Sequence, residues 1–182
     1  AHTRWATHGA VTVSNTHPHQ SHDGKFVMVH NGVIENFGPL KRFLEGKGIS
    51  FSSETDSEVL CNLIAYHYSE LPEDEDRFVD AVRLALPKCR GAYGIAVLCL
   101  DYPDVMIGAR RGSPLVVGLG EDANFIASDA SAFVGRAKEA VFLNDGELAI
   151  LDKGGFRITT LEGQDAQAVT HPLDQFLEEV EL

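Results

Sequence analysis

The chain has 182 residues, which is enough for one sizeable domain. Hydrophobic residues make up 44% and charged residues 23%, and no apolar run approaches the roughly 18 residues that a membrane span requires. The net charge of −12 argues against a nucleic-acid partner, because phosphate binding requires clustered Lys and Arg. The three cysteines have no paired spacing, which indicates reduced thiols and predicts a cytoplasmic location.

The chain begins with a loop-rich segment. Residues 1–24 are rich in His, Thr, Ser and Gly, which predicts a strand end followed by a long loop. The apolar run 25–30 then stops at Asn31-Gly32, and this pattern predicts a buried strand that enters a turn.

Three helices are predicted in the next part of the chain. Asn36 is a candidate N-cap for the first helix, and Gly46 would end it. Thr55 and Glu58 have the spacing of a capping box, so they would open the second helix. The third helix is an amphipathic segment over residues 78–86.

After Gly91 the hydrophobic period changes from helical to strand-like, and turn signals such as Asp145-Gly146 indicate antiparallel pairing. A short helix is predicted at 129–136, and 171–182 is predicted to be a weak helix or a linker. Helices grouped early and strands grouped late favour an α+β fold over alternating βαβ units. The seven predicted strands are 92–100, 105–109, 115–119, 124–127, 141–143, 147–151 and 156–161.

Histidine is concentrated near the start, where six of the eight histidines lie within the first 30 residues. His17 and His19 offer two imidazoles at a spacing that would suit a metal site. No acidic or Cys ligand stands beside them at metal spacing. This favours the alternative that the histidines bond to the backbone and orient their neighbours, and no metal is expected.

Three further places carry groups that suit ligand binding. Arg4 has a planar fork that can recognise a carboxylate. Asn31 and Gly32 offer a side-chain amide and a backbone N–H that could hold a developing oxyanion, or they form an ordinary turn. Asp56 opens a predicted helix, where its carboxylate could cap the first turn or bind a ligand ammonium group. Spacing alone does not choose between these alternatives.

Seven short segments form an ordered pattern that runs through the chain and fades after about Gly155. They are HTRWATHG at 2–9, HPH at 17–19, HNGVIEN at 30–36, SETDSE at 53–58, RGAYG at 90–94, ARRGSPL at 109–115 and FIASD at 125–129. This pattern resembles the class II glutamine amidotransferases, and within them the glutamine–fructose-6-phosphate aminotransferases.

The resemblance implies a four-layer αββα sandwich of the N-terminal-nucleophile hydrolase type with its N-terminal part missing. Residues 1–182 would form an incomplete glutaminase domain, and 171–182 would lead to a sugar isomerase domain of the same polypeptide. The implied reaction hydrolyses L-glutamine to glutamate and ammonia, which the isomerase domain uses to convert fructose 6-phosphate to glucosamine 6-phosphate. A homodimer of the full enzyme is implied, and no cofactor is expected.

The resemblance also assigns seven residues to one glutamine site. Arg4 would clamp the α-carboxylate and Asp56 would bind the α-ammonium group. Asn31 and Gly32 would form the oxyanion hole. Thr7 and His8 would line the glutamine pocket. Trp5 would sit on a mobile loop that closes the site and gates the passage of ammonia.

The nucleophile of the family is a cysteine at the mature N-terminus, whose own α-amine serves as the base because its pKa is near 8. Position 1 of this chain is Ala1, so the nucleophile is expected to precede it, and the chain alone is expected to be inactive. Two alternatives stay open on the residues: a non-catalytic amino-acid-binding module, and a metal-dependent hydrolase that uses His17 and His19.

Overall fold

Two antiparallel sheets form the centre of the fold, which a computed structural model describes for residues 2–3 and 8–173. The ten strands, in chain order, are β1 (His19–Gln20), β2 (Phe26–Ile34), β3 (Gly91–Cys99), β4 (Tyr102–Arg111), β5 (Val116–Leu119), β6 (Asn124–Ala127), β7 (Glu139–Phe142), β8 (Glu147–Asp152), β9 (Gly155–Thr160) and β10 (Thr170–Pro172). The larger sheet has the order β1-β2-β3-β4-β8-β9 and the smaller one β10-β7-β5-β6. Strands β3 to β9 confirm the seven predicted strands, while β1 and β10 were not predicted.

Three helices cover one face of the larger sheet: α1 (Phe37–Glu45), α2 (Asp56–Glu70) and α3 (Arg77–Ala85). Their apolar residues share one core with that face, in which Leu60 and Ile64 lie beside Ile95 and Val97. The three helices predicted between Asn36 and residue 86 are therefore confirmed in position. None of the helices in the described part of the chain is long and apolar enough to cross a membrane.

The two sheets pack face to face through a second apolar cluster, which includes Val117 and Val141 of the smaller sheet and Leu151 of the larger one. On the outer face of the smaller sheet, Phe133 packs against Val116, Ala140 and Leu173. Phe133 belongs to a 3-10 helix, Ala130–Phe133. This shorter 3-10 helix lies where a helix was predicted at 129–136. The layers are thus helices, sheet, sheet and a short outer helix.

The predicted turn at Asn31-Gly32 is wrong, because both residues continue β2. Asn31 pairs with Gly94 and Gly32 with Tyr93 of the neighbouring strand. Gly32 has a φ of 122°, and a Cβ at this position would lie 2.2 Å from the carbonyl oxygen of Ala92. Pairing with β3 therefore overrides the local turn preference of Asn-Gly, and only glycine allows the close approach.

The predicted cap role of Asn36 is also wrong, although α1 begins directly after it. Its side chain makes no cap hydrogen bond. The Asn36 Nδ2 instead donates to the carbonyl oxygen of Lys88, and its Oδ1 accepts from the N–H of Arg90. The amide connects two segments that are distant in the sequence, and local spacing does not reveal such a role.

The capping-box prediction at the start of α2 is confirmed for one of its two bonds. Thr55 is the N-cap, and its Oγ1 accepts from the N–H of Glu58 at 3.2 Å. The buried Glu58 carboxylate does not accept the second capping-box hydrogen bond, from the Thr55 N–H. It accepts from the N–H groups of Ser52 and Ser53, so it also holds the loop that leads into the helix.

The predicted helix or linker at 171–182 falls partly outside the described residues. His171 and Pro172 belong to β10, which pairs with β7. Residues 174–182 lie beyond the part of the chain that the structure describes.

Candidate functional site

A cavity of about 170 Å³ opens between β2 and the first turn of α2. It is lined from five segments of the chain, namely by His2, Thr3, His8, His17, residues 30–33 and residues 55–57. A second cavity of about 300 Å³ lies between the two sheets and shares His2, Thr3, His30 and Asn31 with the first. The two cavities therefore meet at residues 30 and 31 of β2.

The first cavity lies along an edge of β2 that has no neighbouring strand in the described part of the chain. Strand β1 pairs only with Val27 and Met28 of β2. From His30 to Ile34, backbone groups on this edge therefore bond to side chains. The Ile34 N–H donates to Asp56 Oδ2 at 2.7 Å, and the His30 carbonyl accepts from His2 Nε2 at 3.1 Å. Backbone groups on one edge of a strand recur at every second residue, so the Gly32 N–H is directed toward the same edge.

Asn31 projects from β2 on the face opposite to His30. Its Oδ1 accepts from His2 Nε2 at 2.8 Å. Since His2 Nε2 faces two oxygen acceptors, it carries the ring proton, and this contact fixes which end of the Asn31 amide is oxygen. The Nδ2 end of Asn31, which carries two N–H donors, is therefore turned away from His2.

Asp56 is buried at the first position of α2. Its Oδ2 accepts from Ile34 N–H, and its Oδ1 lies 3.6 Å from His8 Nδ1. Because Thr55 is the N-cap, Asp56 does not cap the helix. Its carboxylate joins the helix to β2, and the helix N-terminus favours its negative charge.

His2 and His17 of the first segment line the cavity, and His19 lies beside them. The His2 and His17 rings are stacked at a centroid distance of 3.9 Å, and His17 meets His19 edge-on at 4.7 Å. His19 Nε2 is 3.2 Å from Thr55 Oγ1. Within residues 2–3 and 8–173, no three His, Cys, Asp or Glu side chains are arranged to hold a metal ion. The metal-hydrolase alternative therefore has no ligand set there.

His30 faces the helices and is buried. Its Nδ1 is 2.9 Å from Ser57 Oγ. Burial lowers the pKa of the imidazole below its ordinary value, more strongly than the nearby Asp56 raises it. The neutral ring is therefore favoured in the folded protein.

None of the three thiols lines the cavity. All three are free and buried, and burial raises the pKa of each, to about 12 for Cys89 and above its ordinary value for Cys61 and Cys99. A thiol must ionise to act as a nucleophile. These cysteines are therefore core residues.

Four of the seven predicted site residues line the one cavity: His8, Asn31, Gly32 and Asp56. The other three, Arg4, Trp5 and Thr7, lie outside the described residues. Sequence reasoning missed His2, His30 and Ser57 as site residues. The signal for His30 was its place in the alternation of Phe26, Met28 and His30, which puts a polar ring on a buried face.

The chain is similar in sequence to known proteins. A family model described as "Glutamine amidotransferase domain" matches residues 2–135. The chain is 44% identical over 181 residues to the glutamine–fructose-6-phosphate aminotransferase (isomerizing) of Chlorobaculum tepidum, and 48% identical over 154 residues to that of Bacteroides thetaiotaomicron. These matches cover 100% and 85% of the chain but 29% and 25% of the relatives. The chain therefore spans less than a third of the length of these curated relatives.

Solved structures share the fold. The glutamine phosphoribosylpyrophosphate amidotransferase from B. subtilis, complexed with ADP and GMP, matches with a TM-score of 0.70 at 27% identity, over 88% of this chain and 34% of that one. A glutamine aminotransferase class-II domain protein from Silicibacter pomeroyi matches with a TM-score of 0.54 at 17% identity, over 82% and 71% of the two chains. The second likeness concerns the fold alone. The predicted α+β sandwich is confirmed.

The family prediction depended on ordered segments such as HTRWATHG and HNGVIEN. The family model matches more than half of the chain and includes both segments. The chain belongs to the glutamine amidotransferase domain family.

Proposed function

We propose that this chain forms the glutamine site of a glutaminase domain, in which the side-chain amide of L-glutamine is hydrolysed to glutamate and ammonia. One observation carries the proposal: Asn31, Gly32 and the buried Asp56 line one cavity at the edge of β2, where Asp56 also accepts from Ile34 N–H. Membership of the glutamine amidotransferase domain family supports the choice of substrate.

The substrate is a zwitterion, so its recognition requires one fixed anion and one fixed cation. Asp56 would be the anion, because it lines the cavity and only its Oδ2 is bound to Ile34, while its Oδ1 lies 3.6 Å from His8 Nδ1. Arg4 would be the cation, since its fork can donate two parallel hydrogen bonds to the α-carboxylate. Thr7 and His8 would line the pocket, and Trp5 would close it.

The reaction requires donors for a tetrahedral intermediate. A cysteine thiolate would attack the amide carbon, and the carbonyl oxygen would take up the negative charge. Asn31 Nδ2 and the Gly32 N–H would donate to that oxygen. The C–N bond would then break as the leaving nitrogen takes a proton, and water would hydrolyse the thioester to glutamate.

The nucleophile in this proposal is a cysteine outside the 182 residues. The positions of Cys61, Cys89 and Cys99 support this, because all three are buried in the core and away from the cavity. The same observation favours a second candidate function for the 182 residues taken alone, namely binding of an amino acid without catalysis.

The full protein is proposed to be a glutamine–fructose-6-phosphate aminotransferase. The support is the printed name of relatives that are 44% identical over nearly the whole chain. Ammonia would pass to a sugar isomerase domain of the same polypeptide, which would convert fructose 6-phosphate to glucosamine 6-phosphate. A homodimer and a cytoplasmic location belong to the same proposal.

Glutaminase kinetics of the full protein with Asp56→Asn test the substrate assignment. Asparagine keeps an oxygen for Ile34 N–H but removes the charge that would hold the ammonium group. We expect the KM for glutamine to rise roughly 10- to 100-fold, because a hydrogen bond to a charged group contributes about 1.5–3 kcal/mol. Asp101→Asn, at an exposed carboxylate paired with Lys25, is the control and should leave KM unchanged. An unchanged KM in Asp56→Asn would remove Asp56 from the substrate site.

A further inference from the structure

The start of α2 is bonded to β2 on both sides of Asn31-Gly32. On one side, Ser57 Oγ is 2.9 Å from His30 Nδ1. On the other side, Asp56 Oδ2 accepts from Ile34 N–H at 2.7 Å. We call these two hydrogen bonds, made by consecutive helix residues, the α2 clasp. No function proposed above accounts for its Ser57–His30 half.

The clasp attaches this part of β2 to α2 on its cavity side, where His2 also bonds to the His30 carbonyl. Strand β1 stops at its pairs with Val27 and Met28, so no strand within residues 2–3 and 8–173 borders residues 30–34 on that edge. Gly32 has a φ of 122°, a conformation that neighbouring contacts must maintain. The backbone that presents Asn31 and Gly32 is therefore held by β3 on one side, and by the clasp together with the His2 contact to the His30 carbonyl on the other.

Burying an imidazole costs more desolvation free energy than burying an apolar side chain. The buried neighbours of His30 on its face of β2 are Met28 and Ile34, both apolar. A buried polar ring loses its hydration and requires a hydrogen-bonding partner, whereas an apolar side chain would pack there without that requirement. An apolar residue, however, would not set the distance between β2 and Ser57. The hydrogen bond gives directional control that packing alone does not.

We infer that His30 and Ser57 are positioning residues for the glutaminase reaction, acting through the strand that presents Asn31 and Gly32 to the oxyanion. The inference rests on the proposed function and deepens it. Oxyanion donors must be held within about 0.5 Å of the productive geometry, so a small displacement of β2 affects the transition state more than the bound substrate.

Ser57→Ala in the full protein tests the inference. We expect glutaminase kcat to fall roughly 3- to 10-fold, the range that one lost neutral hydrogen bond supports, while the KM for glutamine stays within about twofold. Ser57→Thr keeps the hydroxyl and should restore most of kcat. If Ser57→Ala does not fold, Ser57→Cys keeps the volume, weakens the hydrogen bond and carries the same expectation.

Ser53→Ala is the matched control. Ser53 is a buried serine at the same helix start, but its Oγ donates to Glu58 and contacts Thr55 rather than β2. We expect Ser53→Ala to lower the thermal midpoint with kcat unchanged. An unchanged kcat in folded Ser57→Ala, or an equal loss of kcat in Ser53→Ala, would overturn the inference. A wild-type full protein without glutaminase activity would instead overturn the proposed function, and the inference with it.

Discussion

Asn31 is the residue on which the proposed chemistry depends most directly. If its amide donates to the oxyanion, the contribution belongs to the transition state more than to ground-state binding. Asn31→Ala in the full protein should lower glutaminase kcat by roughly 10²–10³, the usual effect of losing one oxyanion-hole donor, with a much smaller change in KM. Measuring kcat and the thermal midpoint on the same preparation separates this from a loss of stability. A well-folded variant with near-normal turnover would exclude the role.

Gly32 makes a separate prediction about stability. Gly32→Ala combines a φ of 122° with a Cβ only 2.2 Å from the Ala92 carbonyl oxygen, so the paired strands must move apart. We expect the free energy of unfolding to fall by at least about 1–3 kcal/mol, measured by urea denaturation. Gly48→Ala is the control, because Gly48 has a φ of 83° with nothing within 4 Å of its Cβ position. An equal loss in both variants would mean that the close approach to Ala92 does not matter.

At the scale of elements, the first residues of α2 both cap the helix and contact β2 at the candidate site. Its N-cap Thr55 lies between Glu58 N–H and His19 Nε2, and the next two residues make the α2 clasp. The site therefore depends on where this helix begins. A helix start that frayed by one turn would remove the contacts of both Asp56 and Ser57 with β2.

Thr55→Ala should destabilise the protein, because it removes the acceptor for the first turn of α2. The expected loss is about 0.5–2 kcal/mol of unfolding free energy, the usual effect of deleting an N-cap side chain. Chemical denaturation of wild type, Thr55→Ala and Thr55→Ser measures it. Thr55→Ser keeps the Oγ acceptor and should stay near wild type. Equal stability of the alanine and serine variants would show that the cap contributes nothing.

At the scale of the whole molecule, the described residues place the proposed binding groups and oxyanion donors at the cavity, but none of the three thiols lines it. Residues 1–182 alone should therefore show no glutamine hydrolysis, whereas the full protein should show it. Ammonia release from both proteins at equal molar concentration measures the difference. Robust turnover by residues 1–182 would contradict the proposal and would require another nucleophile within them.

The sequence by itself determined most of the elements and the family. Helices α1 to α3 and strands β3 to β9 lie where hydrophobic periodicity and turn signals predicted them, because those signals act between near neighbours. The family followed from short ordered segments such as HTRWATHG, and the fold followed from the family. His8, Asn31, Gly32 and Asp56 entered the predicted site in the same way.

The tertiary structure decided what depends on contacts between distant residues. Asn31-Gly32 has the local chemistry of a turn, and only its pairing with Tyr93 and Gly94 makes it a strand. The contact of His30 with Ser57 spans 27 positions and that of Ile34 with Asp56 spans 22, so no local pattern encodes either. Propensity and periodicity set the type of an element, but sheet register and helix docking set which residues share an edge, and the candidate site lies at such an edge.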